Sequence, residues 1–462
     1  MELTRTVCDR ARLARDARFD GRFFIGVTST RIYCRPVCPA PSPKPSNVLY
    51  FPSAAAAAEA GFRPCLRCRP ETSPGTPAWL GTSVSVSRGL KLIGEGALDE
   101  TSVDNLAERL GIGSRHLRRM FLQHLGATPV AVAQTRRVHF AKKLIDETEL
   151  PMTQVAMASG FGSIRRFNAT FQNLYGRTPG DLRRSTARER NGGEADVYTF
   201  RLGYRPPYNW ASMIGFLGPR AIPGVETITL EEYRRTISLD GKTGFISVRP
   251  VFLKHHMELR IEFPEPSALF RIVERVRNIF DLRADPSDVD GHLRRDPRLK
   301  PMVQAHAGMR VPGCWDGFEI AVRAILGQQV SVKGATTMAG RLVAQFGDSQ
   351  IFPNAEALAG ADLTRIGLTK QRAHSIRELA SAVSRREVSF DASLGLDSFE
   401  EAMTKLPGIG PWTAQYIAMR IGEPDAFPSG DLYLRGFARQ SESWRPWRAY
   451  AAMYIWNGSH PL

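Results

Sequence analysis

Leu406-Pro-Gly-Ile-Gly-Pro-Trp-Thr-Ala414 is a glycine-paired turn set between two helical patterns. Gly408 and Gly410 let the backbone come close to a phosphate, and the helix that follows aims its N–H groups at the same anion. The stretch predicts a helix-hairpin-helix, a sequence-independent grip on DNA. Phe427-Pro-Ser-Gly-Asp431 then places a carboxylate about twenty residues downstream.

The surrounding chain has 462 residues, enough for about three domains at ~150 residues each. Lys and Arg number 62 against 46 Asp and Glu, a net charge of +16. Residues 1–190 hold 29 basic and 16 acidic side chains (+13), and residues 191–462 hold 33 and 30 (+3). The first 190 residues thus carry most of the field that attracts phosphates, which points to a nucleic-acid partner. A hydrophobic share of 43% excludes whole-chain disorder. Met1–Asp20 is studded with Arg and Asp and lacks the apolar centre of a signal peptide. No apolar run approaches the ~20 residues that span a bilayer. The expectation is a cytoplasmic protein with no membrane contact and reduced thiols.

Composition separates three segments. The first, about 1–75, is rich in Pro and Cys and ends in the breaker-rich Pro70–Pro77. The second, about 80–186, reads as short amphipathic helices, and the polar tract Ser185–Glu194 reads as a linker. The third opens with strand-like alternation at Val197–Leu202 and Gly244–Val251 and turns helical from Ala268. Expected boundaries are 1–78, 79–186, a linker at 187–195, 196–278 and 279–462.

Six cysteines are present. Cys34-Arg-Pro-Val-Cys38 and Cys65-Leu-Arg-Cys68 are two short-range pairs, and two such pairs close a tetrahedral site for one Zn2+. Such a site is either a structural knuckle or a reactive centre. Arg31-Ile-Tyr-Cys-Arg-Pro-Val-Cys38 and Gly61-Phe-Arg-Pro-Cys-Leu-Arg-Cys68 resemble the N-terminal domain of the Ada family of alkylation-response regulators, over about residues 5–75. The resemblance implies that Cys34 irreversibly accepts a methyl group from a DNA methylphosphotriester. Zinc holds a thiolate deprotonated at neutral pH, and the thiolate is the nucleophile. Four thiolates on one Zn2+ carry −2, and methylating one leaves −1, so DNA binding tightens and repair becomes a signal. Arg35, Arg63, Arg67 and Arg69 flank the ligands as candidate phosphate contacts. Cys8 and Cys314 read as plain thiols. The Pro-Cys-His-Arg mark of an O6-alkylguanine transferase domain is missing from the sequence.

Ser102–Phe121 reads as helix, glycine turn, helix, with Ser102 and Ser114 as N-caps. The second helix offers Arg115, His116, Arg118 and Arg119. A similar unit at Met152–Phe171 offers Ser163, Arg165, Arg166 and Asn168. Each is a helix-turn-helix with a basic recognition helix. The pair, joined by a helix at about Pro129–Asp146, resembles the AraC-type DNA-binding domain over about 84–184, with the stretch GFGSIRRFNATFQNLYGRTPGDLR (Gly160–Arg183) as its specific close. Phosphate contacts would supply affinity there, and Arg and Asn would read base edges.

The hairpin and Asp431 resemble the helix-hairpin-helix base-excision glycosylases. The match narrows to the AlkA family of 3-methyladenine DNA glycosylases. Its carriers are Tyr204-Arg-Pro-Pro-Tyr-Asn-Trp210, Gly215-Phe-Leu217, Val311-Pro-Gly-Cys-Trp-Asp-Gly-Phe-Glu319, Arg323-Ala-Ile-Leu-Gly-Gln-Gln-Val-Ser331 and Trp444-Arg-Pro-Trp-Arg-Ala-Tyr450. The resemblance covers about 197–458 and implies a fusion of Ada-type and AlkA-type modules. The fold class expected is multidomain α+β. It comprises a small zinc-bound α/β domain, an all-α double helix-turn-helix domain, and an AlkA-like glycosylase with an N-terminal antiparallel sheet and helix-hairpin-helix α-domains.

By that resemblance Asp431 is catalytic, Trp412, Tyr416, Trp456 and Phe216 hold the flipped base, and Gln328 lines the pocket. An N-alkylated purine is cationic and leaves readily once out of the duplex, and aromatic faces hold it by stacking and cation–π attraction. Asp431 stabilises the oxocarbenium-like sugar. Bifunctional relatives carry a lysine where this chain has Trp412, so the expected enzyme is monofunctional, without lyase activity. The family's apolar wedge is replaced by the polar Gln329. The segment from Asp431 to Trp444 is shorter than the family's, which predicts a truncated helix. Expected partners are double-stranded DNA (methylated backbone, alkylated bases, promoter sites) and RNA polymerase. The competing expectation is a transcription factor whose glycosylase-like half is an inactive DNA clamp.

Overall fold

The computed structural model describes residues 3–75, 84–99, 101–186, 196–348, 350–390 and 395–459. The expected boundary at 78/79 and the expected linker at 187–195 lie outside the described residues. The chain divides into two compact units, Met1–Pro206 with Val251–Glu274 and Leu282–Asp285, and Pro207–Pro250 with Arg275–Asp281 and Pro286–Leu462. Among the described residues no helix is long and apolar enough to cross a membrane.

The first unit opens with a helix at Arg5–Leu13, which the sequence reading missed among the flanking charges. Strands β1 (Phe24–Val27), β2 (Ile32–Cys34), β3 (Val48–Phe51) and β4 (Arg63–Pro64) form one sheet in the order β3-β1-β2-β4. Phe24, Tyr33 and Phe62 pack on the alanine helix Ala54–Glu59, whose small side chains permit the close approach. The other face of that helix, Ala55 and Ala56, meets Ala127. Ser53 caps it, accepting from the Ala56 N–H at 3.0 Å, and donates to the Leu125 carbonyl at 2.7 Å.

Both helix-turn-helix units form. Helices Val103–Arg109 and Ser114–Leu125 make the first, Met152–Ala158 and Ile164–Tyr175 the second, and Pro129–Glu147 joins them. The recognition helices bury Leu117, Phe121 and Leu125, and Phe167, Phe171 and Tyr175. That four-residue recurrence leaves the intervening Arg residues outside. Ser102 and Ser163 are N-caps, but Ser114 is not: Gly113 takes the cap position and Ser114 starts the helix.

The joining helix is enclosed on several sides. Phe140 packs against Phe200 and Phe270, with ring centroids 6.4 and 4.8 Å away. Phe200 lies on β5 (Val197–Gly203), which pairs antiparallel with β9 (His256–Glu262). Lys142 and Lys143 are buried and neutralised one turn on by Asp146 and Glu147. Buried ammonium groups need such partners.

The second unit holds the antiparallel strands β6 (Glu226–Ile228), β7 (Tyr233–Leu239) and β8 (Lys242–Val251). The rest is helical, as the pattern beyond Ala268 predicts. Helix Gly317–Leu326 is buried almost all round. Its Glu319 accepts from buried Arg235 at 2.7 Å and from Arg323 at 3.0 Å.

Candidate metal centre and base pocket

Parallel pairing of β2 with β4 sets Tyr33 opposite Pro64, so the next residues, Cys34 and Cys65, emerge side by side. The Cys65 N–H donates to the Tyr33 carbonyl at 3.0 Å. The sulfurs of Cys34, Cys38, Cys65 and Cys68 all lie within 4.8 Å of one another. That donor set and spacing fit one Zn2+. Cys65 and Cys68 are buried, whereas Cys34 and Cys38 are partly exposed. The accessible sulfurs are therefore those of the first pair.

The flanking arginines split into two kinds. Arg63 and Arg67 are exposed. Arg35, expected on DNA, instead turns inward. Its guanidinium donates to Asp20 at 2.9 Å, to the Cys68 carbonyl at 3.0 Å and to Thr72 Oγ1 at 2.6 Å. With those contacts made, Arg35 braces the metal loop. Arg69 likewise reaches Asp146 at 2.9 Å and Glu71 at 3.1 Å. Tyr33, the residue before Cys34, shares a 2.9 Å hydrogen bond with His139 Nε2 of the joining helix. Strand β2 is thus anchored on the helix-turn-helix framework.

On the recognition helices, Arg115, His116, Arg118 and Arg119 are exposed, as are Ser163, Arg165, Arg166 and Asn168. Arg119 is oriented by His116 Nδ1 at 3.0 Å.

The second site draws on four separate elements. Trp412 and Tyr416 sit one turn apart on helix Pro411–Arg420, stacked at 5.6 Å and 9°. Trp456, on helix Arg448–Ser459, lies 6.5 Å from Tyr416 and stacks on Phe216 of helix Trp210–Leu217 at 6.2 Å. The four expected rings do come together. Trp456 Nε1 donates to Asp431 Oδ1 at 3.0 Å, and Oδ1 also accepts from the Tyr433 N–H at 2.9 Å. Oδ2 makes no hydrogen bond among the described residues. Asp431 is therefore a turn cap and a carboxylate with one oxygen to spare.

Two pocket arginines escaped the sequence reading. Arg420 is buried and donates to the Pro312 and Gly313 carbonyls at 2.6 and 2.8 Å and to the Tyr416 hydroxyl at 2.9 Å. Its position four residues after Tyr416 was the available signal. Arg220 lies 3.9 Å over the Phe216 ring and gave no comparable signal. Burial pushes the Tyr416 hydroxyl up, but Arg420, Arg220 and Arg323 outweigh it and hold it below the ordinary phenol value.

The hairpin follows helix Leu396–Thr404. Gly408 has φ +76°, and a Cβ there would meet Ser375 Oγ at 2.1 Å, so both conformation and space demand glycine. A Cβ on Gly410 would meet nothing within 4 Å. Gln328, expected to line the pocket, donates its amide to the Gly408 carbonyl at 2.8 Å and Thr413 Oγ1 at 3.0 Å. It ties the loop after helix Gly317–Leu326 to the hairpin. Gln329, next to it, is exposed with φ +54°. The short segment after Asp431 folds as two short 3-10 helices, Arg435–Phe437 and Gln440–Trp444. Trp444, at the end of that segment, is buried against Phe427 and Phe437.

Four family models match in sequence order. They are the metal binding domain of Ada at residues 7–71, a helix-turn-helix domain at 106–185, the AlkA N-terminal domain at 199–316, and the HhH-GPD superfamily of base excision DNA repair proteins at 322–454. The chain is 39% identical to the probable bifunctional transcriptional activator/DNA repair enzyme AlkA of Mycobacterium tuberculosis, over 98% of this chain and 97% of that protein. The chain belongs to this bifunctional AlkA family. The two halves of the family have separate relatives. DNA-3-methyladenine glycosylase 2 of Escherichia coli is 31% identical over 56% of this chain and 96% of its own. The bifunctional transcriptional activator/DNA repair enzyme Ada of Escherichia coli is 34% identical over 32% of this chain and 40% of its own. The multidomain fold expected from the sequence is present, and among the described residues the four cysteines fit one Zn2+.

Proposed function

We propose that this chain joins two DNA repair reactions to one regulatory output. In the first reaction the Cys34 thiolate attacks the methyl carbon of a DNA methylphosphotriester. A sulfur–carbon bond forms, the carbon–oxygen bond breaks, and the phosphodiester leaves as the anion. The Zn2+ held by Cys34, Cys38, Cys65 and Cys68 supplies a thiolate at neutral pH. Methylation is irreversible and removes one negative charge beside exposed Arg63 and Arg67. The loss of repulsion strengthens the grip on phosphate. The recognition helices, through Arg115, Arg118, Arg119, Arg165 and Arg166, then hold promoter DNA, and RNA polymerase is the partner that reads the occupied site.

In the second reaction an alkylated base such as 3-methyladenine leaves the stack and enters the space among Trp412, Tyr416, Trp456 and Phe216. Gly408 and Gly410 hold the flanking backbone. The Asp431 Oδ2 atom stabilises the oxocarbenium-like sugar and orients the attacking water, while Oδ1 is held by Trp456. The glycosidic C–N bond breaks, the base takes the electron pair, and water adds to the sugar. Trp412 offers no amine for a Schiff base, so an uncut abasic site remains.

The observation that carries the excision reading is the 3.0 Å bond from Trp456 to Asp431 amid four converging rings. The test is label partition. Purified protein is incubated with duplex DNA carrying radiolabelled methyl groups, and protein-bound label is separated from released bases. Label on protein together with free 3-methyladenine is the expected result. Label on protein alone would leave the second half a DNA clamp. Free base with unlabelled protein would leave the four-cysteine site structural.

A further inference from the structure

The tight turn Asp20-Gly21-Arg22 faces two ways. Asp20 accepts from the Arg35 guanidinium at 2.9 Å, and that guanidinium holds the metal loop through the Cys68 carbonyl at 3.0 Å. The Arg35 backbone N–H also donates to Cys68 Sγ at 3.4 Å. On the other side of the turn Arg22 pairs with Asp285 at 3.1 Å, and both side chains are buried. Gly21 between them has φ +76°, and a Cβ there would collide with the Gly75 carbonyl and stand 3.0 Å from Arg205 Nη2. Conformation and space both require glycine. Arg205 is fully buried and donates to the Gly75 carbonyl and, at 2.8 Å, to the Arg283 carbonyl.

A second arm reaches the same guanidinium. Arg35 donates to Thr72 Oγ1 at 2.6 Å, and the Thr72 carbonyl lies 2.7 Å from the point that a Cβ on Gly203 would occupy. Gly203 ends β5, so that strand lays its bare backbone directly on the segment that follows the metal loop. Gly203, Arg205 and Asp285 belong to the AlkA-type part of the chain, and the four cysteines to the Ada-type part. All of them lie in one compact unit. Two contacts from the AlkA-type part therefore converge on Arg35. Removing one member of a buried ion pair leaves the other charge uncompensated, and a group that orients a ligand-bearing loop tunes how tightly the metal is held.

We infer that Asp285 and Gly203 are positioning residues of the zinc site: through Arg22 and Thr72 the AlkA-type part of the chain holds Arg35, and with it the Cys65–Cys68 loop, in the geometry that retains the metal. The four-cysteine module is thereby not self-sufficient. Its grip on the ion is set in part by residues far along the chain, and a change in β5 or at Asp285 reads out at the metal.

The test uses the full-length, zinc-loaded protein and follows the rate at which zinc passes to an excess of chelator in the absence of DNA. Asp285→Ala and Gly203→Ala should each release zinc about tenfold faster, the scale of a group that orients a metal ligand. Arg22→Ala should do the same. The double variant Arg22→Ala/Asp285→Ala should release zinc no faster than the worse single variant, because both changes remove one interaction. Amide hydrogen exchange in helix Pro411–Arg420 of the second unit should not change. Unaltered zinc release in Asp285→Ala or in Gly203→Ala, or effects that multiply in the double variant, would overturn the inference. Faster exchange in Pro411–Arg420 that tracks the zinc loss would also overturn it, since it marks loosening of the whole chain. No DNA enters the measurement, so the result stands whether or not Cys34 accepts methyl.

Discussion

The two repair sites of this chain are built in opposite ways. The metal centre takes all four ligands from two short motifs, Cys34–Cys38 and Cys65–Cys68, on one small sheet. The base pocket gathers Phe216, Trp412, Tyr416, Asp431 and Trp456 from segments far apart in the chain. The first can form from local spacing once two strands pair. The second exists only when helices Trp210–Leu217, Pro411–Arg420 and Arg448–Ser459 are packed. The difference suits the chemistry. A stoichiometric acceptor needs an activated atom with access to DNA, whereas an enzyme that stabilises a transition state needs several groups held in fixed geometry.

The sharpest way to break the comparison is to remove one reactive group from each site. Cys34→Ala should abolish protein-bound methyl label entirely and lower zinc content, while base release continues at its normal rate. If label persists on the variant, another thiol is the acceptor. Asp431→Asn should slow base release by about 10³-fold, the scale of one preorganised charge-stabilising group. DNA affinity and methyl uptake should not change. A fall in affinity that matches the fall in rate would mean the carboxylate serves binding.

The metal site differs again in leaning on a neighbour, through Tyr33 and His139. Burial lowers the His139 pKa to about 4 from its ordinary 6.5, so the folded chain keeps it neutral. The unfolded chain takes up a proton below about pH 6.5, so stability from this group is present above that pH. It drains away as pH falls toward 4, by about 3 kcal/mol. Denaturant unfolding across that range should show the slope, and His139→Phe should flatten it. An unchanged slope in the variant would assign the pH dependence elsewhere.

The smallest effect sharpens the pocket. Trp456→Phe keeps a ring beside Phe216 and Tyr416 but removes the N–H that holds Asp431 Oδ1. Base release should fall about tenfold, the scale of one hydrogen bond to a charged group. A change in substrate affinity with an unchanged single-turnover rate would make Trp456 a stacking ring alone.

The sequence carried the zinc ligands, both helix-turn-helix units and the hairpin, because each is a local pattern of spacing or period. It also named the four rings and Asp431, but only through family resemblance, since no local rule joins Phe216 to Trp456. It did not reveal the internal partners of Arg35 and Gln328. Both are polar residues beside the right motifs, and Asp20 or the Gly408 carbonyl lies too far along the chain for spacing to reveal it. It missed Arg220 and Arg420, which look like ordinary surface arginines until packing brings them against Phe216 and Tyr416.

By itself the sequence determined the modular order, the metal's donor set, the charge asymmetry and the need for glycine at the hairpin. These are fixed by residue type and short-range geometry. Only the tertiary structure decided which arginines are exposed and which brace the metal loop, which oxygen of Asp431 is left without a hydrogen bond among the described residues, and that Gln329 is exposed with a left-handed backbone. Each of those outcomes depends on which distant group satisfies a buried donor or acceptor, and that competition is settled when the chain packs.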